Sequence, residues 1–329
     1  MKTDSLTRML RDMLLARAFE ERAAEEYTQG NIAGFLHLYP GEEAVAVGVL
    51  HAAEPADYIV TTYREHVHAL VRGIPANVVM AELFGKKTGC SGGMGGSMHL
   101  FDRERRFMGG YAIVGETFPV ATGIAYAIAL RELPEAVICF FGDGAVNQGT
   151  FHESLNMAAL WKLPVLFVCE NNLYGIGTRI ERSTSELDQY KRVCGYNIPA
   201  QQVDGQDLRV VYRAACEAVD YVRGGNGPYF LELLTYRFRG HSMSDSNVYR
   251  TKEEEKEWNK RDPVLILRDT LIEEGHLTVD EFNAMDREII NHIEDDIIKF
   301  AEESPEPPVE ELEKYVLAEN DPYVKGGPH

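Results

Sequence analysis

Short continuous apolar runs alternate with longer amphipathic segments through most of the chain. Such runs, when they end at glycine or polar residues, are typical of parallel strands that are covered on both faces. They lie at Tyr58–Thr62, Val137–Phe141, Val165–Cys169, Ala200–Val203 and Tyr229–Phe238. Helical spacing of apolar residues occupies Ser5–Tyr27, Glu42–Leu50, Phe118–Leu130, Asn147–Leu160 and Asp207–Val222. The alternation predicts an α/β fold with a central, mostly parallel sheet and helices on both faces.

The C-terminal part of the chain has a different pattern. Beyond Thr251 the sequence is charged and helical, and it ends in a tail, Ser304–His329, rich in Pro and Glu. We expect an α/β domain over residues 1–250 and an acidic helical region over 251–329. This region would pack on the α/β domain and on partner subunits. For the tail, a disordered end is the alternative. The predicted helices are Glu253–Lys260, Pro263–Glu274 and Thr278–Glu303.

Charge and composition narrow the classes of function. The 329 residues carry a formal net charge of −19, and residues 251–329 hold 9 Lys or Arg against 23 Asp or Glu. This balance excludes a typical nucleic-acid binder and favours a solvated helical face or a rim for a basic partner. No run approaches a membrane span, and the N-terminus mixes both charge signs, unlike a signal or transit peptide.

The cysteines favour a reducing compartment. None of the five has a partner at CxxC spacing, and Cys139 and Cys169 lie inside predicted strands. We expect reduced, buried thiols in a cytoplasmic protein, without a disulfide framework or a zinc site. The remaining three are Cys90, Cys194 and Cys216.

Polar residues follow two of the predicted strands. Gly142-Asp143-Gly144 ends the first, and Asn171-Asn172 ends the second. Both strands would deliver these residues to the carboxyl edge of one sheet, where open α/β sheets bind ligands. The glycines permit close approach to an anion, but a carboxylate beside a diphosphate requires a cation between them. Asp143, the Asn172 amide oxygen and a backbone carbonyl near Tyr174 are ligands that Mg²⁺ prefers, so this stretch predicts Mg²⁺ with a diphosphate.

Two other interpretations of this stretch are weaker. A dinucleotide fingerprint would need a third glycine where the chain has Asn147, and it would not place an acidic residue inside the turn. An accidental Gly-Asp-Gly turn does not account for the second polar strand end, where Asn172 follows Asp143 by 29 positions.

Further candidates lie in loops and at strand ends. Arg64 follows a predicted strand, where it could present a planar fork of donors to phosphate, and Tyr63 could add a hydroxyl donor; an ordinary surface arginine is the alternative. His37 lies in a glycine-flanked loop, where histidines are more often structural or simply exposed. The segment Gly85–His99 has six glycines, which favours a loop approaching a ligand or another subunit over a flexible linker.

Seven segments in the same order carry a family resemblance. They are GFLHLYPGEEAVAVG, TTYREH, GGSMHLF, GGYAIVG, GDGAVNQGTFHESLNMAALWKLP, ENNLYGIGT and TYRFRGHSMSDS. From Gly34 to about Pro322 the chain resembles the alpha subunit of the thiamine diphosphate-dependent, decarboxylating component of 2-oxo acid dehydrogenase complexes. It is most similar to the members that act on pyruvate. The resemblance implies the thiamine diphosphate-binding fold, with thiamine diphosphate and Mg²⁺ as cofactors.

The resemblance also implies residue roles. His37, Tyr63, Arg64 and His241 would neutralise the diphosphate, and the two histidines are the catalytic candidates. Ala112 and Val114 would hold the aminopyrimidine ring by backbone contacts. This chain has Tyr111-Ala112 where the mammalian-type motif has Asn-Gly, and its preceding loop is two residues longer. The expected cofactor-binding set is His37, Tyr63, Arg64, Ala112, Val114, Asp143, Gly144, Ala145, Asn172, Tyr174 and His241; the expected metal set is Asp143, Asn172 and Tyr174.

The implied partners complete the expected function. A beta subunit would supply a glutamate that activates the cofactor, in an α2β2 heterotetramer. After decarboxylation of a small 2-oxo acid, the acyl group would pass to a lipoyl group on an acyltransferase component. Acetoin or branched-chain 2-oxo acids are alternative substrates. Two alternatives belong to other classes of function: a non-catalytic scaffold subunit and a nucleotide-dependent oxidoreductase. Kinase control of the loop with Ser242, Ser244 and Ser246 is not favoured, because Ser246 replaces the family's Pro and Arg179 replaces a second regulatory serine.

Overall fold

The fold is built around one parallel sheet. The computed structural model describes residues 3–311 and residue 314. The strands are β1 (Tyr58–Thr62), β2 (Phe107–Tyr111), β3 (Val137–Gly142), β4 (Val165–Asn171), β5 (Tyr174–Gly175), β6 (Thr178–Arg179), β7 (Ala200–Asp204) and β8 (Tyr229–Leu234). Six of them form a sheet in the order β2-β1-β3-β4-β8-β7, with every neighbouring pair parallel. β5 and β6 form a separate antiparallel hairpin.

Helices surround this sheet. They are α1 (Thr3–Gln29), α2 (Glu43–Ala52), α3 (His66–Val71), α4 (Ala76–Leu83), α5 (Thr117–Leu130), α6 (Gly149–Leu160), α7 (Gln189–Arg192), α8 (Leu208–Arg223), α9 (Lys252–Asn259), α10 (Pro263–Glu273), α11 (Val279–His292) and α12 (Lys299–Glu303). No helix in residues 3–311 combines the length and apolar character needed to cross a membrane.

The central strands are apolar because both faces of the sheet are covered. Successive side chains of a strand point to opposite faces. Ile138 and Phe140 of β3 accordingly belong to one buried cluster, which also contains residues of α1, α2 and α8. Cys139 and Phe141 belong to a second cluster with residues of α5 and α6. The α/β fold with helices on both faces is therefore confirmed.

The structure extends or corrects several predicted elements. The strand predicted at Tyr229–Phe238 ends at Leu234, and beyond it the Phe238 N–H donates to Pro40 O at 2.8 Å, outside the sheet. β2 was not predicted, since two glycines weaken its strand signal. The helix predicted from Asn147 begins at Gly149, after a 3₁₀ turn at Asp143–Asn147. The long C-terminal helix contains a π-helical segment, Ile293–Ile298, between α11 and α12.

The C-terminal helices share the main core with α1. Leu267 and Ile289 belong to the same buried cluster as Leu10. Of the predicted tail Ser304–His329, residues 304–311 and 314 are described, and Lys87 donates its backbone N–H to Pro305 O at 2.9 Å. The rest of the tail lies outside the described residues.

All five cysteines are free, as expected, but they do not share one environment. Cys139 and Cys169 are buried within β3 and β4, whereas Cys90 and Cys216 are partly buried and Cys194 is exposed. The prediction that every thiol is buried is therefore wrong for Cys194, which lies in a short 3₁₀ turn (Val193–Tyr196) between α7 and β7.

Candidate active site

A cavity opens at the carboxyl edge of the sheet. The chain places β2 on one side of β1 and β3 on the other, which makes a topological switch point of the kind where α/β sheets bind ligands. β3 and β4 end side by side, with Gly142 paired to Glu170. The cavity has a volume of about 240 Å³. Its wall includes Tyr63, Arg64, Val114, Asp143, Gly144, Ala145, Asn172, Tyr174 and His241.

Two predicted residues lie outside that wall. The His37 ring packs against the rings of Tyr63 and His241, with centroid distances of 4.5 and 5.1 Å. His37 therefore belongs to the same cluster of rings, but it lies behind Tyr63 and His241 and does not line the cavity. Ala112 is not among the described lining residues, although its neighbours Tyr111 and Ile113 are. Nine of the expected residues are thus brought to one cavity, with His37 beside it.

Asp143 is buried without full hydrogen bonding. Its side chain is 2 % exposed, and within the described part of the chain its Oδ1 has no hydrogen-bond partner. Burial raises the pKa of this carboxyl to about 6, and the nearby positive charge of Arg237 only partly opposes the shift. An orphaned carboxylate oxygen that lines a cavity is a feature that a bound cation would satisfy.

The second strand end supplies neutral oxygen atoms that a cation could use as ligands. The Asn172 Nδ2 donates to Glu42 Oε1 at 3.0 Å, and the Tyr174 N–H donates to Asn172 Oδ1 at 3.4 Å. The backbones of Gly144 and Gly175 lie so close that a Cβ on Gly144 would be 3.3 Å from Gly175 Cα. Within residues 3–311, no three His, Cys, Asp or Glu side chains gather as a metal site, and the predicted ligand set contains one such residue.

Two buried arginines supply positive charge. Arg64 is 5 % exposed, and its guanidinium donates to backbone carbonyls, Leu38 O at 2.5 Å and His241 O at 2.7 Å. Arg237 is 1 % exposed and donates to Ile176 O at 3.3 Å. Among the described residues neither guanidinium forms an ion pair with a carboxylate. Buried charges require a partner of opposite sign, so this wall is prepared for an anion.

The histidines of the cluster are neutral before any anion binds. Burial, followed by the positive charge of Arg64, lowers the pKa of His37 to about 2. The same two causes, with Arg237 in addition, lower the pKa of His241 to about 3. Both rings therefore act as neutral hydrogen-bonding groups, and Arg64 and Arg237 carry the positive charge that sequence reasoning had assigned partly to the histidines.

Sequence reasoning missed three charged residues around the cavity. Arg237 and Glu170 line it, and Glu42 lies behind Asn172. Glu170 is buried and accepts from Tyr39 Oη at 2.5 Å, and its Oε1 lies 3.1 Å from His68 Nε2. For Arg237 and Glu170 the available signal was a charged residue within or next to an otherwise apolar strand run, which is uncommon without a local reason. Glu42, at the start of α2, gave no such signal.

Apolar side chains surround the cavity opening. Ile113, Val114 and Ile176 all line the cavity and remain 69 %, 44 % and 63 % exposed. Exposed apolar side chains gathered at a polar cavity mark a surface that another molecule covers. The site is therefore open on the side that these residues face.

The burial of Asp143 predicts a stability effect with a definite sign. Its folded-state pKa of about 6 exceeds the ordinary value of 3.8, so the folded chain is progressively destabilised as pH rises between these values. In the metal-free chain, Asp143→Asn should raise the free energy of unfolding at about pH 8 by roughly 1 to 3 kcal/mol, and the gain should shrink toward pH 4. Urea unfolding across this pH range measures the effect.

The matched control is Asp188→Asn. Asp188 is a partly exposed carboxylate whose pKa is lowered by its hydrogen bond with Lys191. This substitution should not stabilise the chain at pH 8. Equal stabilisation by both variants would mean that net charge, rather than burial of Asp143, controls the result.

Comparisons with known proteins agree with this geometry. Residues 11–310 match the family model described as "Dehydrogenase E1 component". The pyruvate dehydrogenase E1 component subunit alpha of Porphyra purpurea is 45 % identical over 316 residues, covering 94 % of this chain and 92 % of the relative. That of Rhizobium meliloti is 46 % identical (96 % and 90 % covered), and the mitochondrial one of Sminthopsis macroura is 44 % identical (96 % and 86 %). The chain belongs to the dehydrogenase E1 component family.

Proposed function

We propose that this chain is the alpha subunit of a pyruvate dehydrogenase E1 component. In this role it uses thiamine diphosphate to decarboxylate pyruvate and pass the acetyl group to a lipoyl group. The observation that carries the proposal is the cavity wall, where an Asp143 oxygen without a partner among the described residues lies with two buried arginines that have no carboxylate partner there. The names of the relatives, pyruvate dehydrogenase E1 component subunit alpha, support pyruvate as the substrate.

The residues at the two strand ends fit a magnesium ion. Asp143 offers a carboxylate oxygen, Asn172 an amide oxygen and the Tyr174 region a backbone carbonyl, which together are hard oxygen ligands. A bound cation would stabilise the ionised form of Asp143 and would remove the cost of its burial. Asp143 would then face the diphosphate through the metal ion without direct repulsion.

The arginines and neutral donors would hold the diphosphate itself. Arg64 and Arg237 bring fixed positive charge to the wall, and Tyr63 and His241 line the same cavity with groups that can donate hydrogen bonds. Gly144 brings its backbone to the wall without a side chain, so the chain can approach an anion closely there. When bound, thiamine diphosphate supplies the electron sink for loss of CO₂.

A beta subunit would cover the open side of the cavity. The exposed side chains of Ile113, Val114 and Ile176 support such a contact, since an isolated chain would leave them in water. The activating glutamate would come from this partner, as the family resemblance implies, in an α2β2 assembly. We also propose the lipoyl-bearing acyltransferase as acceptor of the acetyl group. The five free cysteines support a reducing, cytoplasmic location.

Turnover should require both the partner and Asp143. We expect pyruvate-dependent reduction of an artificial electron acceptor, with Mg²⁺ and thiamine diphosphate, from this chain co-expressed with its beta subunit and not from the chain alone. Asp143→Ala in the pair should lower the rate by about two orders of magnitude or more, because metal stabilisation is worth several kcal/mol.

Two results would count against this proposal. Full turnover by the isolated chain would contradict a shared site. Silence with pyruvate in a correctly assembled pair, together with turnover of acetoin or a branched-chain 2-oxo acid, would assign the chain to a sibling enzyme.

Arg237 should contribute to cofactor affinity. Arg237→Met removes a buried charge from the cavity wall, and we expect thiamine diphosphate to bind the assembled pair about ten- to a hundredfold more weakly, the value of a charge-assisted hydrogen bond. Calorimetric titration measures the dissociation constant. Arg239→Met is the control, because Arg239 is partly exposed and pairs with Glu21. If both variants bound the cofactor equally well, Arg237 would have no direct part in holding the anion.

A further inference from the structure

Both asparagines at the end of β4 are held by buried glutamates. Asn171 Nδ2 donates to Glu232 Oε1 at 2.7 Å, and Asn172 Nδ2 donates to Glu42 Oε1 at 3.0 Å. All four residues are buried, and of the four Asn172 lines the cavity. The Asn172 contact is therefore the one that can affect a ligand.

A carboxamide has two chemically different ends. Its oxygen accepts hydrogen bonds and can bind a cation, whereas its NH₂ group only donates. A flipped Asn172 would turn two N–H bonds toward the cation and lose the ligand. Outer partners of this kind commonly fix the orientation of a metal ligand.

We propose that Glu42 is a positioning residue, which accepts the Asn172 Nδ2–H and thereby holds Asn172 Oδ1 as the oxygen available to the metal ion. The inference rests on the proposed function, because it assumes a divalent cation at Asp143 and Asn172. It assigns Glu42 a role in metal affinity and no direct contact with the cofactor.

Glu42 is buried, and the backbone before it packs closely against a distant segment. Its side chain is 1 % exposed, and the turn before it runs directly against the chain that follows β8. Gly41 has φ +102°, and a Cβ there would lie 2.3 Å from Tyr236 O. The Phe238 N–H donates to Pro40 O at 2.8 Å. These contacts fix the backbone before Glu42 relative to the segment that carries Arg237, and the burial of Glu42 limits the space into which its carboxylate could turn.

Glu42 is placed as an outer partner rather than as a ligand. It is not among the described residues that line the cavity, and Asn172 lies between it and the opening. Glu43, the next residue, is equally buried but pairs with Arg17 at 2.5 Å. The two glutamates therefore share a helix turn and a degree of burial, and differ in whether they contact Asn172.

The test measures metal binding directly. Mn²⁺ replaces Mg²⁺ as a paramagnetic probe, and its affinity for the assembled alpha–beta pair with thiamine diphosphate is titrated by electron paramagnetic resonance. Glu42→Leu should weaken Mn²⁺ binding about tenfold or more, since it removes the hydrogen-bond acceptor and replaces it with an apolar side chain of similar size. Glu42→Gln retains an accepting oxygen and should keep most of the affinity. Glu43→Gln should lower thermal stability without changing Mn²⁺ affinity.

Repeating the Glu42 substitution in an Asn172→Asp protein separates an effect on the orientation of the Asn172 side chain from general damage to the fold. In Asn172→Asp either oxygen of the new carboxylate can bind the cation, so no acceptor is needed to orient it. There Glu42→Leu should leave Mn²⁺ affinity unchanged or raise it, because it removes a like charge.

The outcomes distinguish a failure of the proposed function from a failure of the role proposed for Glu42. If the wild-type pair bound no Mn²⁺ with thiamine diphosphate, the proposed function would fail. If the wild-type pair bound Mn²⁺ and Glu42→Leu bound it equally well, or if Glu42→Leu weakened binding equally in both backgrounds, the positioning role of Glu42 would be overturned.

Discussion

A buried carboxylate with one unsatisfied oxygen is the constraint on which this site depends. Asp143 lies at the end of β3 with one oxygen free of hydrogen bonds within the described chain, and its elevated pKa reflects the cost of burial. Arg64 and Arg237, also buried, have carbonyl partners but no carboxylate partner in residues 3–311. A cation at Asp143 and an anion at the arginines would satisfy both requirements together. A metal-bound diphosphate would have this charge pattern, and the parallel sheet brings Asp143 and the two arginines to one edge.

The central part of this arrangement could be predicted from sequence because its signals are local. Val137–Gly142 and Val165–Asn171 are continuous apolar runs, and their ends carry the Asp and Asn that reach the cavity. Parallel strands must align their carboxyl ends, so placing both groups at one edge required no knowledge of distant contacts. Tyr63 and Arg64 followed by the same reasoning from the end of β1.

Other features could not be predicted, since they depend on contacts between distant parts of the chain. Glu42 precedes Asn172 by 130 positions, and their hydrogen bond exists because the turn at Gly41 packs against the chain after β8. Arg237 was included in a predicted strand that ends three residues earlier, at Leu234. The neutral state of His37 and His241 likewise follows from their burial beside two arginines, which local sequence does not reveal.

We propose that this chain holds the cofactor through a metal-bound diphosphate, in a site whose open side faces a partner subunit. The most direct test is calorimetric titration of the assembled alpha–beta pair with thiamine diphosphate, once with Mg²⁺ and once with the metal removed by chelation. We expect saturable binding of one cofactor for each copy of this chain with Mg²⁺, and a large loss of affinity without Mg²⁺. Binding of equal strength in the absence of divalent metal would contradict it.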